Sequence, residues 1–261
     1  MGSTVTVNGG QRLHFVDYGG AGTPVVLLHA FLMDLEMFAP QVAALGGEFR
    51  LIAVDERGHG GTPADRPFDY WDVASDVLAL LDQLGITRAA VVGTSQGGFV
   101  GLRMALTAPD RITALAVLGT SAAAEDAKIA AGYRELASSW AASGPADQLV
   151  DMIAAICLGD TEAEAWKAKW RAVPADRLSL LLETLVDRDG LLTRLGDVHC
   201  PVLTLHGSAD AAYTVCRGAE IVEGVPHAEP LVVVDGGAHF LSLTDADAVN
   251  PHLRKFLADN A

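Results

Sequence analysis

The sequence predicts an α/β fold, a mostly parallel twisted sheet with helices on both faces, and three observations predict it. Short, continuous apolar runs recur along the chain, helix-length stretches alternate with them, and the runs lack the polar alternation of a half-exposed sheet. With 261 residues, half of them apolar, the chain can bury a substantial core within one domain that carries a small insertion.

Residues 3–8 and 12–19 alternate apolar and polar residues around Asn8-Gly9-Gly10, which reads as an antiparallel hairpin with one buried face. The runs Pro24–His29, Leu51–Asp55, Ala89–Gly93 and Ala114–Leu118 then read as parallel strands covered on both sides, and Pro201–Leu205 and Leu231–Asp235 continue the series. Helices are expected over Leu35–Leu45, Asp72–Leu84, Gln96–Ala108, Val215–Glu223 and Asp245–Ala258, the last kinked or restarted at Pro251. From 121 to 195 helical patterns follow one another without a strand. This divides the chain into a core, 1–120 with 196–261, and a helical insertion placed over the strand ends, where open α/β sheets bind ligands. The insertion is therefore a candidate lid. Its aromatics Tyr133, Trp140, Trp166 and Trp170 are candidates to line a substrate pocket, the alternative being that they only pack the inserted helices together.

A formal charge of −15 argues against nucleic acid or an anionic membrane as partner, because both are polyanions. The three cysteines, Cys157, Cys200 and Cys216, form no paired framework and point to reduced thiols in the cytoplasm. The amino terminus lacks the basic start and apolar run of a secretory signal, and Met1-Gly2 with Thr6 fits the loose myristoylation pattern only as chance would. No apolar run approaches the roughly 18 residues of a membrane span.

The chemistry is carried by Gly93-Thr94-Ser95-Gln96-Gly97-Gly98, which follows one apolar strand and opens a helix. That is the context of a nucleophile elbow, in which a strained turn exposes the serine and small neighbours let strand and helix approach. A serine hydroxyl needs a base. Of eight histidines, His239 is best placed, in Gly236-Gly-Ala-His239 between the last strand and the last helix. His206 is its rival and fits better as a buried support. Asp210 lies just beyond another strand and can accept the imidazole Nδ1 proton, ahead of Asp235, a strand terminus, and Asp245, a helix cap. The order Ser95, Asp210, His239 is the one expected for this kind of site. The oxyanion hole is expected from the backbone amides of Phe31 and Gln96. No metal and no cofactor is required, and His29, Arg57 and His59 read as loop-shaping residues.

On His29-Ala-Phe, Asp55-Glu-Arg-Gly-His-Gly60, the Gly93–Gly98 elbow, His206-Gly-Ser-Ala-Asp210 and Gly237-Ala-His239, the chain resembles the α/β-hydrolase superfamily over nearly its whole length. Ala30 departs from the glycine common there, which would shift the oxyanion loop. The stretches Met33–Val42 and Asp76–Asp82 look similar to 3-oxoadipate enol-lactonases and small esterases, relatives that act on an acidic lactone. A carboxylate clamp could come from Arg134, Arg171 or Arg177, each of which also reads as a solvated helix residue. The resemblance implies an α/β-hydrolase fold and an esterase or lactonase acting on a small molecule through an acyl-enzyme. Acyl transfer or perhydrolysis, and a silent ligand binder that retains the triad, are the alternatives. A serine at 95 disfavours the haloalkane dehalogenases and epoxide hydrolases of this fold, which use aspartate.

Overall fold

The computed structural model describes residues 2–159, 161 and 163–261. In chain order the strands and helices that build the core begin with β1 (Ser3–Val7), β2 (Gln11–Asp17) and β3 (Pro24–Leu28). There follow α1 (Ala39–Leu45), β4 (Arg50–Val54), α2 (Tyr70–Gln83), β5 (Ala89–Thr94), α3 (Gln96–Thr107) and β6 (Ile112–Leu118). Four helices come next, with no strand between them among the described residues: α4 (Ala127–Ser143), α5 (Asp147–Leu158), α6 (Glu164–Arg171) and α7 (Ala175–Val186). The core resumes with β7 (Val202–Gly207), α8 (Val215–Gly224), β8 (Val232–Val234), α9 (Leu241–Thr244) and α10 (Ala246–Asn260).

The eight strands form one sheet in the order β1-β2-β4-β3-β5-β6-β7-β8. Only the β1–β2 and β2–β4 pairs are antiparallel. The inner strands are buried on both faces, which is why they read as unbroken apolar runs. From β3 the chain goes to one side for β4 and to the other for β5, so the loops leaving β3 and β5 meet at a topological switch point. Open α/β sheets place their ligand crevices there. α3 lies directly on the sheet, and a Cβ at Gly97 would collide with the Leu28 carbonyl.

Three elements differ from the sequence reading. The expected helix over 35–45 begins as a 3-10 turn, Leu35–Phe38, capped by Asp34 Oδ1 on the Glu36 amide, and becomes α-helical only where Pro40 enters its first turn. The carboxyl-terminal helix is not restarted at Pro251: α10 runs through it, and the break falls at Asp245 behind the unexpected α9. Pro251 forfeits one donor, and Asn250 beside it is anchored by Gln41 Nε2 at 2.9 Å. The last strand is shorter than expected, Val232–Val234.

One ion pair ties the hairpin, the loop after β4 and α2 together. Fully buried Asp76 accepts from Arg57 Nε and Nη2 and from Asn8 Nδ2, while the Arg57 side chain is itself 5% exposed. Removing one partner of such a pair costs about 3–5 kcal/mol, because the other charge stays buried. Half-exposed Asp72, 3.7 Å from Arg57, remains as a weaker partner, so Asp76→Ala should lose about 3 kcal/mol in urea denaturation. A loss below about 1 kcal/mol would show that water compensates Arg57.

Candidate active site

Ser95 sits between β5 and α3 with φ 51° and ψ −110°, a conformation that costs a non-glycine residue roughly 1–3 kcal/mol. The turn is held on both sides. The Ser95 amide donates to Leu118 O at 2.8 Å, and its carbonyl accepts from Gly98 N at 2.9 Å and Thr120 Oγ1 at 2.7 Å. Its Oγ lies 2.9 Å from His239 Nε2, in a site where both residues are 4% exposed.

His239 leaves the loop after β8, where the next amide, of Phe240, donates to Cys157 O in α5. Its Nδ1 is 2.8 Å from Asp210 Oδ2. Because the carboxylate can only accept, Nδ1 carries the proton and Nε2 presents its lone pair to the serine hydroxyl. Tyr213 packs edge-on to the imidazole at 5.5 Å and Phe240 lies 5.0 Å away. Asp210 is held from every side. Oδ1 accepts from the amides of Ala212 and Tyr213, both at 2.8 Å, and Oδ2 takes His206 Nε2 at 3.2 Å besides His239. Burial pushes this carboxyl up, but the bonds from His206 and His239 outweigh it and hold the group well below the usual carboxylate range. His206 Nε2 also donates to Tyr213 O at 2.9 Å, so it braces the Asp210 loop.

The amides of Phe31 and Gln96 have no acceptor among the described residues. They flank the junction where Gly97 N donates to His29 O at 3.0 Å. Two buried histidines shape this region. His29 Nε2 accepts from Glu56 N at 2.9 Å, which puts its proton on Nδ1 toward Ala30 O at 2.8 Å. His59 Nε2 accepts from Leu32 N at 3.2 Å and Nδ1 donates to Arg57 O at 3.0 Å. Burial lowers both below the ordinary histidine value, so they stay neutral. Ala30 adopts no left-handed conformation, so alanine carries no backbone strain there; the positive φ, 61°, falls on Leu32. Met33 N donates to Ala30 O at 3.0 Å, closing a turn with Phe31 and Leu32 at its centre.

The inserted aromatics separate. Trp140 of α4 is buried and gives its indole N–H to Val173 O, a bond within the insertion. Trp166 of α6 is half-buried beneath Lys169 Nζ, 4.3 Å from the ring centre. Tyr133 is half-buried, and burial with the nearby Glu125 pushes its hydroxyl up to about 12. Arg134 and Arg171 form ion pairs with Glu183, Asp187 and Asp147 on the surface, and Arg177 borders a cavity of about 270 Å³ beside Leu32. The arginine next to the site is Arg188. Its side chain is 2% exposed, it pairs with Glu125 at 2.9 Å, donates to Tyr213 Oη at 3.1 Å and lies 4.4 Å over the Phe99 ring. Neither Arg188 nor Tyr213 carries a sequence signal. Only their meeting in space relates them to His239.

A family model described as alpha/beta hydrolase fold matches residues 23–246. The chain is 31% identical over 257 residues, 95% of its length, to the dihydrolipoyllysine-residue acetyltransferase component of the acetoin cleaving system of Pseudomonas putida, covering 67% of that protein. It is 28% identical over 261 residues to a provisionally named carbamate hydrolase, RutD, of Azorhizobium caulinodans, with 97% of each chain covered. The crystal structure of the enol-lactonase from Burkholderia xenovorans LB400 superposes with a TM-score of 0.88 at 28% identity, covering 98% of this chain and all of the other.

Glu56 makes the elbow sensitive to pH. Its Oε2 accepts from Gln96 Nε2 at 2.8 Å, its Oε1 is buried without a partner among the described residues, and burial pushes the carboxyl from 4.5 up to about 8. The folded chain thus keeps a proton that the unfolded chain has released. Stability falls as pH rises between these two values, and the loss is complete above the higher one. In urea titrations from about pH 5 to about pH 9, Glu56→Gln should gain on the wild type up to about pH 8 and hold a constant lead beyond it. A difference that is the same at every pH would show that Glu56 ionises normally.

Proposed function

The chain belongs to the α/β-hydrolase fold family, and from that premise we propose that it is a serine hydrolase cleaving a carboxylic ester or lactone of a small molecule through an acyl-enzyme. The observation that carries this reading is the continuous hydrogen-bonded line Ser95–His239–Asp210, with Nε2 oriented as a base toward Oγ. We take residues 121–195 as the lid over a core of 1–120 and 196–261. Tyr133, half-buried and packed against the core, is the lid aromatic that fits a pocket wall.

In this scheme Ser95 Oγ attacks the carbonyl carbon while its proton passes to His239 Nε2. The amides of Phe31 and Gln96 receive the negative oxygen, each worth roughly 3 kcal/mol of barrier. Asp210 stabilises the imidazolium, which then protonates the departing alkoxide oxygen; from a lactone that oxygen stays tethered to the acyl group. Water activated by His239 releases the acid and restores the serine. Every step uses groups of this chain, and the charge that appears on His239 is met by a carboxylate held ionised. A carbamate carbonyl suits the same chemistry and belongs on the substrate panel, given the likeness to the RutD protein.

A second reading, acyl transfer to an acceptor other than water, is favoured by the likeness to the Pseudomonas putida acetyltransferase component. Added thiol, alcohol or peroxide would then appear in the product. The free thiols Cys157, Cys200 and Cys216 support a cytoplasmic location. Across short esters, long esters, lactones and carbamates, Ser95→Ala should lower kcat/KM by about 10³-fold or more with folding unchanged. Near-normal turnover by that variant would reject the assignment, and a wild type that hydrolyses nothing and resists fluorophosphonate would identify a silent binder.

A further inference from the structure

We infer that helix α6 of the insertion assembles the oxyanion hole, and that Trp170 does so as a positioning residue by clamping Leu32. The inference rests on the proposed role of Phe31 as an oxyanion donor.

The turn Ala30–Met33 places Leu32 at its third position with φ 61°, where a branched side chain is disfavoured and glycine or asparagine is usual. Left alone, such a turn relaxes by rotating the Phe31–Leu32 peptide, which brings Leu32 back to negative φ. That peptide is covalently joined to Phe31, so the relaxation also frees the turn that aims the Phe31 amide.

Both polar backbone groups of Leu32 are held against this movement, from opposite sides. From the core, His59 Nε2 takes the Leu32 amide at 3.2 Å. From the insertion, the indole Nε1 of Trp170 donates to the Leu32 carbonyl at 2.9 Å, and Trp170 is fully buried. The neighbouring Lys169 fastens the same loop further along, its Nζ bonding Asp34 Oδ2 at 2.6 Å and Glu36 Oε2 at 2.7 Å. Asp34 in turn caps the 3-10 turn that follows. One short helix therefore contributes two adjacent residues to the segment 32–36, immediately after the Phe31 donor. A solvated loop would not keep a strained leucine.

With these contacts in place Leu32 stays strained and the Phe31 amide is aimed; without them the hole loses one donor.

The test is Trp170→Phe, which keeps an aromatic ring and deletes only the N–H. We expect kcat to fall about tenfold with KM within about twofold, because the lost interaction acts in the transition state. A trifluoromethyl ketone, which forms a tetrahedral anion on Ser95, should bind more weakly by the same factor. Lys169→Met, at a partly exposed position, should lower kcat about two- to threefold at low salt, with the difference fading at high salt. A folded Trp170→Phe enzyme with kcat within twofold of wild type, or one in which only KM changes, overturns the inference. Should Trp170→Phe not fold, an unchanged kcat for Lys169→Met overturns it instead. Ser95→Ala is measured alongside: turnover surviving there rejects the serine mechanism itself, whereas its loss beside a normal Trp170→Phe rejects the clamp alone.

Discussion

The fixed carboxylate of Asp210 is the constraint on which the rest of the site depends. Two backbone amides and two imidazoles converge on it, and they make its ionised form the favoured one despite burial. An ionised Asp210 can only accept, which fixes the proton of His239 on Nδ1, and this leaves Nε2 as the acceptor that faces Ser95. His206 is a residue of β7 itself, and the other three donors belong to the loops after β7 and β8, so the geometry of the Ser95–His239–Asp210 line is inherited from the parallel register of those strands. His206 has a definite part in this: its bond to the Tyr213 carbonyl closes the Asp210 loop on itself.

Around this line the protein buries polar groups at a cost that packing alone would not require. Arg188 and Glu125 pair out of water, joined by Tyr213, and isolated pairs of this kind seldom stabilise a fold relative to apolar residues. Their placement shows what they accomplish. Glu125 lies where the chain enters the insertion and Arg188 where it leaves, and Leu191 N bonds Ala122 O just beside them. The pair closes the neck of the insertion against Phe99 of the elbow helix and Tyr213 of the triad-acid loop. Glu56 acts similarly on the other side, where its amide and its carboxyl link His29 and Gln96.

Much of this was legible in the sequence, and the reasons are physical. Strands buried on both faces leave unbroken apolar runs, and the elbow leaves small residues because a Cβ at Gly97 has no space beside Leu28. Residues after strands converge at one edge of a parallel sheet, so the meeting of Ser95, Asp210 and His239 could be expected from the elbow motif together with their position in the element order. Tyr213, Arg188 and Glu56 were not legible, and Trp170 was legible only as an aromatic of the insertion and not as a partner of Leu32, because each matters through a contact between segments far apart in the chain. The arginines singled out in the sequence, Arg134 and Arg171, pair with carboxylates at the surface, while Arg188, just after α7, pairs with buried Glu125. The course of α10 through Pro251 was missed for a related reason: the side chain of Asn250 anchors that turn to α1, and local propensity does not record it. Ala30 was expected to shift the oxyanion loop, yet the strained residue proved to be Leu32, whose conformation depends on partners from two other segments.

The central claim is that the hydroxyl of residue 95 becomes a nucleophile through its line to Asp210. Intact-protein mass spectrometry on reactions quenched in the first turnovers of a slowly hydrolysed ester tests it directly. A mass increase of one acyl group is expected, rising and decaying at the rate of turnover and assigned after digestion to the peptide that carries Ser95. Turnover with no covalent adduct, or an adduct carried by another side chain such as Cys157, would contradict it.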